Sequence, residues 1–402
     1  MTGQRADALV LNPELVVASR DTSRTVYWNP LSGRRVVLPS PVAGVLEQAR
    51  TCAIAAGEAA GNGAAARSIR LLRDHGLLVP RSEAAAQAPP AAAGGQGLFC
   101  CRRLSLAAAL QDPATDAVVI GMPYDAGVTA KPGARFGPGY LRSASRSIFS
   151  APGPGETGMH DPVRGRRVLA GCGLADVGDI SAPVHVRNGD TMDELAMVVG
   201  AVACAGKLPV VLGGDHSITL PSARAVLEAH GRLGILHFDA HHDYGRPRAG
   251  DWRRDCHHGN FMDWLAGDDK VACIAQFGVR QLKAEPPAPD PKMALWPGHS
   301  GCRAGVPEIL ASLPADLPYY VTVDVDVLDP CVMPSTGAPL PGGMSTLELT
   351  ELVEGLAEHL WIAGADIVEL MPNGNASAPS VAAEVLLRLL DGALARRSRP
   401  GG

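Results

Sequence analysis

The stretch Leu233-Gly-Ile-Leu-His-Phe-Asp-Ala-His-His-Asp243 joins a short apolar run to a cluster of acids and histidines. Apolar runs of this length are typical of strands buried in a parallel sheet. Similar runs occur at residues 117–121, 208–212, 319–323 and 362–368. Patterns with helical spacing separate them, at residues 192–205, 222–230 and 346–360. This alternation predicts an α/β layered fold with a mainly parallel sheet.

The chain divides at residues 82–97, which are almost all Ala, Pro, Gly and Gln. Such a composition predicts a flexible linker between a small domain, residues 1–81, and a long domain, residues 98–402. In the small domain, three short runs rich in β-branched residues precede two helical patterns. The strands are predicted near residues 15–17, 25–28 and 35–38. No catalytic constellation occurs there.

Composition limits the class of protein. Of the 402 residues, 46% are hydrophobic and 19% are charged, and the net charge is −5. This balance gives no reason to expect a nucleic acid or an anionic membrane surface as partner. The nine cysteines include no CxxC pair, and no apolar stretch has the length of a membrane span. Reduced thiols and an N-terminus without a signal-peptide core predict a cytoplasmic protein.

Three polar clusters each follow a predicted strand: Gly213-Gly-Asp-His216-Ser217, Asp239-Ala-His241-His-Asp243 and Asp324-Val-Asp326. Ligand sites of such sheets lie at the carboxyl ends of the strands, so we expect the clusters to converge there. Side chains alternate along an extended segment, which would direct the acids and the first histidine of the second cluster to one side. The same alternation would direct Asp324 and Asp326 together. With His216, the clusters supply four carboxylates and two imidazoles.

Four crowded carboxylates repel one another strongly unless cations neutralise them. Two divalent ions would do so, and ligation by oxygen and nitrogen without thiolate suits manganese. Singly, the first cluster could be a helix-capping turn and the second a salt-bridged loop. All three in this order at strand ends favour a metal site. The sequence therefore predicts a site for two Mn²⁺ ions.

Residues 115 to 395 resemble the ureohydrolase family, which includes arginase, agmatinase, guanidinobutyrase and formimidoylglutamase. Besides the metal clusters, the resemblance rests on Gly121-Met-Pro-Tyr-Asp-Ala-Gly127, Lys131-Pro-Gly-Ala-Arg-Phe-Gly-Pro138, Leu141-Arg142, Asp176-Val-Gly-Asp179, Pro341-Gly-Gly-Met344 and Val368-Glu369-Leu-Met-Pro372. It implies a three-layer αβα arginase-like fold, a homo-oligomer, and hydrolysis of a guanidino group to urea and an amine.

The resemblance also implies roles for single residues. One manganese ion would be held by His216, Asp239, Asp243 and Asp324. The other would be held by Asp239, His241, Asp324 and Asp326. The catalytic residues would be Asp243, which protonates the departing amine, His258, which relays protons, and Glu369, which binds the guanidinium. His237 is interpreted as a core histidine, and His242 as structural or outside the direct ligand set.

The small domain resembles the winged-helix-like, PqqD-like peptide-recognition domain of enzymes that tailor ribosomally made peptides. In that family a leader peptide adds a strand to an exposed sheet edge. The domain could instead be an extension that stabilises an oligomer.

Three functions remain open: a peptide arginase that makes ornithine, an agmatinase- or guanidinobutyrase-like hydrolase of a small guanidino compound, and a non-catalytic binding module on the same fold. The intact metal set speaks against the third. Residues 244–258 lack the Asn and Ser arrangement with which arginase holds free arginine, which disfavours that substrate. The arginines of this loop and Trp252 could face an acidic or extended partner, or form a solvated loop.

Overall fold

The computed structural model describes residues 8–12, 15–28, 34–51, 53–55, 58–59, 62–81, 83, 97–150, 157–182 and 188–398. Almost all of the linker predicted at residues 82–97 lies outside them. The chain forms two compact units. An N-terminal unit comprises Met1–Gly94 and Leu104–Asp112, and a second unit comprises Gly95–Arg103 and Pro113–Gly402. We call the second the large unit.

The N-terminal unit combines small antiparallel sheets with helices. Its strands are β1 (Leu9–Leu11), β2 (Val16–Arg20), β3 (Arg24–Trp28), β4 (Arg35–Pro39) and β5 (Leu78–Pro80). Its helices are α1 (Ser40–Thr51), α2 (Ala64–Asp74) and α3 (Leu106–Gln111). Strands β1 and β5 pair with each other, and β2, β3 and β4 form a sheet in that order. Buried side chains such as Leu46, Leu72 and Tyr27 give this unit a core of its own.

The large unit alternates strands with helices. Its strands are β6 (Arg102–Arg103), β7 (Ala117–Gly121), β8 (Met159–Asp161), β9 (Arg166–Val168), β10 (Leu174–Asp179), β11 (Leu208–Leu212), β12 (Leu233–Phe238), β13 (Val271–Phe277), β14 (Met293–Trp296), β15 (Pro318–Asp324) and β16 (Trp361–Val368). Its helices are α4 (Gly137–Ile148), α5 (Asn188–Cys204), α6 (Thr219–His230), α7 (Trp252–Asp255), α8 (Phe261–Ala266), α9 (Ser300–Ser312), α10 (Thr346–His359) and α11 (Ala378–Arg397).

Nine of these strands form one sheet in the order β14-β13-β12-β15-β16-β11-β7-β10-β6. Every neighbouring pair in it is parallel. The predicted parallel α/β sheet is therefore confirmed. Strands β12, β15, β16 and β11 are consecutive neighbours, so the segments that follow them emerge side by side at the carboxyl edge.

Two groups of helices cover the sheet. One group contains α4, α9, α10 and α11, and the other contains α5, α6, α7 and α8. Both α11 and α6 contact β16, one from each group, which makes the three-layer αβα arrangement. A capping box of Ser345 and Glu348 begins α10, and Gly231 ends α6 in the left-handed conformation. Within the described ranges, no helix is both long and apolar enough to cross a bilayer.

Arg142 fastens helix α4 to strand β10. Its Nε and Nη2 donate to the carboxylate of Asp176 at 2.7 and 3.0 Å, and Asp176 is fully buried. Its Nη2 also donates to the carbonyl of Gly178 at 3.1 Å, and its Nη1 donates to Asp179. These residues belong to two of the motifs quoted from the sequence, so a structural role accounts for those motifs.

Replacing Arg142 by Met should lower the free energy of unfolding by about 1–3 kcal/mol, because the buried carboxylate of Asp176 loses its bidentate partner and keeps a single ion pair, with Arg103. Arg146→Met, at an exposed position of the same helix, should change it by less than about 0.5 kcal/mol. Denaturant unfolding followed by circular dichroism measures both values. Equal losses in the two variants would contradict this account of Arg142.

Candidate metal centre

The first group of ligand atoms surrounds the imidazole of His216, which follows β11. Its Nδ1 lies 3.1 Å from Oδ2 of Asp239, 3.3 Å from Oδ2 of Asp243 and 3.3 Å from Oδ2 of Asp324. The side chain of Asp243 is 11% exposed, and the other three are buried. Three carboxylates thus converge on one nitrogen at the carboxyl ends of three strands.

The second group surrounds His241. Its Nδ1 lies 3.0 Å from Oδ2 of Asp326 and 3.3 Å from Oδ1 of Asp239. Asp239 therefore faces both groups, with Oδ2 toward His216 and Oδ1 toward His241. A carboxylate in this position can bridge two cations. Asp324 adjoins the second group through its Oδ1, which accepts the backbone N–H of Asp326 at 2.8 Å.

The donor set fits divalent cations. Nδ1 of His216 is buried and has no hydrogen-bond partner in the described part of the chain. The other ring nitrogen, Nε2, lies 2.8 Å from the hydroxyl of Thr322. With the ring proton on Nε2, the Nδ1 lone pair points at three carboxylates, an arrangement that a cation between them stabilises. Carboxylate oxygens and neutral imidazole nitrogens are ligands that several divalent metal ions accept.

Burial and mutual repulsion make ionisation of Asp324 and Asp326 costly in the absence of such cations. Burial, together with the charges of Asp326 and Asp239, raises the pKa of Asp324 well above its ordinary value. Burial and the charge of Asp239 raise the pKa of Asp326 to about 6. The metal-free cluster therefore retains protons that divalent cations displace on binding.

The side chains converge through turns rather than through the strand alternation expected from the sequence. Strand β12 ends at Phe238, and Oδ1 of Asp239 then accepts the N–H of His241 at 2.5 Å. Asp324 likewise begins a 3₁₀ turn over Val325–Val327 by accepting the N–H of Asp326. Short polar side chains commonly bond to the backbone two residues ahead in this way. The convergence was predicted correctly and its geometric reason was not.

The structure places Glu369, His258 and Thr129 next to this cluster. Oε1 of Glu369 accepts the N–H of His216 at 3.0 Å and lies 3.1 Å from Nδ1 of His258. The Thr129 N–H donates to Nε2 of His258 at 3.0 Å, so the ring proton is on Nδ1 and is donated to Glu369. Burial lowers the pKa of His258, but the hydrogen bond and charge of Glu369 outweigh burial and raise it.

Two site residues have strained backbones. Asp243 has φ 46° and Glu369 has φ 64°, in the left-handed region that residues with a side chain seldom adopt. Such conformations cost on the order of 1–3 kcal/mol each and persist where the surroundings enforce them. Glu369 is held by its N–H, which donates to the carbonyl of Gly214 at 2.9 Å. The strain is the observation that sets these two positions apart from ordinary strand ends.

The loop that carries Thr129 is fixed by two acids. Asp215 accepts the N–H of Gly127 at 2.8 Å, and Asp125 accepts the N–H of Gly133 at 2.9 Å. Asp125 also forms an ion pair with Arg135. Burial and the charge of Glu369 raise the pKa of Asp215 to about 7. The two glycine-rich motifs of the sequence thus form one wall of the site.

Much of the charged loop between Asp243 and His258 is fastened to the fold. Trp252 is buried, and the guanidinium of Arg253 lies over its ring and pairs with Asp193 at 2.6 Å. Arg248 lies over Trp264 and pairs with Asp263 at 2.9 Å. These two arginines and Trp252 are therefore held against the fold, so for these three residues the structure agrees neither with a face open to a partner nor with a solvated loop.

One neighbour of the metal cluster was not predicted from the sequence. His237 was interpreted as a core histidine, and it is fully buried, yet its Nε2 lies 2.9 Å from Oδ2 of Asp239. Together with His216 and Asp243 they form a group whose ligand atoms lie within 4.8 Å of one another. The signal was present, because residues two apart on a strand share a face. His242 lies outside both groups of ligand atoms.

Comparison with known proteins identifies the family. A family model described as the Arginase family matches residues 115–391. Mitochondrial agmatinase of Gallus gallus is 28% identical over 284 residues, covering 68% of this chain and 78% of the relative. N(1)-aminopropylagmatine ureohydrolase of Thermus thermophilus is 34% identical over 282 residues, covering 67% of this chain and 87% of the relative.

A solved structure agrees with the sequence comparisons. The crystal structure of a hypothetical agmatinase from Burkholderia thailandensis superposes with a TM-score of 0.64 at 26% identity. The superposition covers 75% of this chain and 91% of that chain. The span matched by the family model contains every candidate site residue named above. Since that span is more than half of the 402 residues, the chain belongs to the arginase family.

Proposed function

We propose that this protein is a manganese-dependent peptide arginase, which releases urea from arginine side chains of a ribosomally made peptide and leaves ornithine. As a member of the arginase family it is a hydrolase of C–N bonds, an amidinohydrolase acting on guanidino compounds. The observation that carries the chemistry is the pair of His/Asp groups that share Asp239. The peptide substrate and the identity of the metal are the parts proposed here.

In this proposal one ion is held by His216, Asp239, Asp243 and Asp324, and the other by Asp239, His241, Asp324 and Asp326. The distances of 3.0–3.3 Å between imidazole nitrogens and carboxylate oxygens support this grouping. Two bound Mn²⁺ ions would supply hydroxide at neutral pH by lowering the pKa of water.

Glu369 binds and orients the guanidinium in the proposed mechanism. Its Oε1 is occupied by His216 and His258, whereas its Oε2 has no hydrogen bond within the described residues. A Cβ added to Gly337 would lie 3.8 Å from Oε2, so the glycine keeps open the space beside this oxygen. A guanidinium there would form charge-assisted hydrogen bonds that direct its carbon toward the metal cluster.

The departing amine must be protonated before it can leave. Asp243, beside His216 and Asp239, is proposed to carry that proton, and His258 is proposed to relay protons to solvent. The geometry around His258 supports a relay, since one ring nitrogen faces Glu369 in the buried site. The other nitrogen lies 2.8 Å from the hydroxyl of Thr129, which is exposed.

The proposal that the substrate is a peptide rests on the N-terminal unit. It has its own core, and the catalytic groups all lie in the large unit. In its three-stranded sheet, β2 and β4 each pair only with β3 among the described residues. Val37 on β4 is 55% exposed. An open edge of this kind can accept a peptide strand, which is how we propose that a leader peptide is held.

A small guanidino compound is the second candidate. Two relatives that match this chain, at 28% and 34% identity, are named mitochondrial agmatinase and N(1)-aminopropylagmatine ureohydrolase. In this alternative the N-terminal unit has no part in substrate choice. The two candidates share the metal cluster and Glu369, so only the substrate separates them.

Urea release by the full chain loaded with Mn²⁺ should distinguish them. The panel comprises agmatine, 4-guanidinobutyrate, free arginine, and arginine-containing precursor peptides with and without their leaders. We expect urea, and a mass loss of one CN₂H₂ unit per arginine, from leader-bearing peptide alone. Urea from a small guanidine alone would contradict the peptide proposal and leave the amidinohydrolase chemistry standing.

Replacing Glu369 by Gln should lower kcat/KM by about 100-fold, since it removes the negative charge that holds the guanidinium. The number of bound metal ions should not change, because Glu369 is outside the proposed ligand set. Glu351→Gln, on an exposed face of α10, provides the matched control and should retain full activity. Full activity of Glu369→Gln with the best substrate of the panel would contradict the role of Glu369.

A further inference from the structure

A buried histidine outside the proposed ligand set borders the metal cluster. His237, in β12, lies with its Nε2 2.9 Å from Oδ2 of Asp239, and its ring centroid is 5.1 Å from that of His216. Phe261 covers its edge, with the ring centroids 5.8 Å apart. By distance alone, His237 could be a metal ligand or a hydrogen-bond donor to Asp239. The position of its ring proton decides between them.

Gln276 determines where that proton is. It lies on β13 directly opposite His237 and is also buried. Its side-chain nitrogen lies 2.7 Å from the carbonyl oxygen of His242 and 2.9 Å from Nδ1 of His237. A carbonyl oxygen can only accept, which fixes the orientation of the amide and directs its second N–H at Nδ1. Nδ1 therefore accepts a hydrogen bond, and Nε2 carries the ring proton.

A protonated Nε2 cannot ligate a metal ion and donates to Asp239 instead. Asp239 then has one donor at each oxygen: Nε2–H of His237 at Oδ2, and the backbone N–H of His241 at Oδ1. Each carboxylate oxygen keeps a further lone pair for a cation. The two donors hold the plane of the carboxylate so that these lone pairs face the two groups centred on His216 and His241.

We propose that Gln276 and His237 are positioning residues that orient Asp239 as the bridge between two metal ions. Gln276 sets the ring proton of His237, and His237 fixes Oδ2 of Asp239. This inference rests on the metal-binding part of the proposed function and is independent of the substrate. Metal affinity is its readout, so a protein that binds two ions but releases no urea would overturn the proposed function and leave this inference intact.

Equilibrium titration of the full chain with Mn²⁺ tests the proposal. His237→Leu and Gln276→Met should each weaken binding of at least one ion by about 10- to 100-fold, the usual effect of losing a group that orients a ligand. His237→Gln keeps an N–H donor at this position and should recover most of the affinity. His230→Leu, a histidine of the same unit beside Trp361, is the control and should bind both ions as the unchanged protein does.

Wild-type affinity for both ions in His237→Leu and Gln276→Met would overturn the proposal. Circular dichroism of the metal-free variants verifies that they are folded. If these variants do not fold, a crystal structure of the Mn²⁺-loaded unchanged protein decides the matter. We expect Nε2 of His237 within hydrogen-bond distance of Asp239 and not bonded to either ion. A direct bond from Nε2 to manganese would overturn the proposal.

Discussion

Mutual repulsion among four crowded carboxylates, three of them buried, is the constraint on which the large unit depends. Asp239, Asp243, Asp324 and Asp326 lie within reach of two imidazoles at one edge of the sheet. Repulsion between such charges in a dry interior costs several kcal/mol unless cations or protons offset it. The same repulsion, together with burial, raises the pKa values of Asp324 and Asp326 when no metal ion is bound.

The sheet topology is what makes the crowding possible. Strands β12, β15, β16 and β11 are adjacent, and each delivers site residues at its carboxyl end. Their residues are buried almost without exception, so the strands cannot shift without losing much apolar contact. Around the site, hydrogen bonds with Thr322, Thr129 and Gln276 orient the imidazoles of His216, His258 and His237, respectively. The buried strands and the imidazoles oriented by these hydrogen bonds together hold the carboxylates close to one another despite their repulsion.

The sequence predicted the parts of this structure that leave a local signal. Central strands buried on both faces appear as continuous apolar runs, and 117–121 and 208–212 coincide with β7 and β11. Strand β14 is only half-buried and β6 has two residues, so neither produces such a run. The six residues proposed as ligands come from three short clusters, and the structure brings their side chains together because strand ends of a parallel sheet meet at one edge.

Features that depend on contacts between distant segments could not be predicted. The pairing of Gln276 with His237 follows from the register of β13 against β12, which no single segment reveals. The left-handed backbone at Asp243 and Glu369 follows from the surrounding fold, since residues other than glycine seldom adopt it. Residues i and i+2 of the second and third clusters come together in turns, in which the Asp side chain accepts a backbone N–H, and not through the strand alternation expected from the sequence.

The most direct test of the central claim is the number of manganese ions bound per chain. The protein is saturated with Mn²⁺ and separated from free metal by gel filtration, and its manganese is measured by mass spectrometry. The account predicts two ions per unchanged chain and fewer than one in Asp239→Ala, which removes the carboxylate shared by both groups. One ion or none in the unchanged chain, or two in Asp239→Ala, would contradict it.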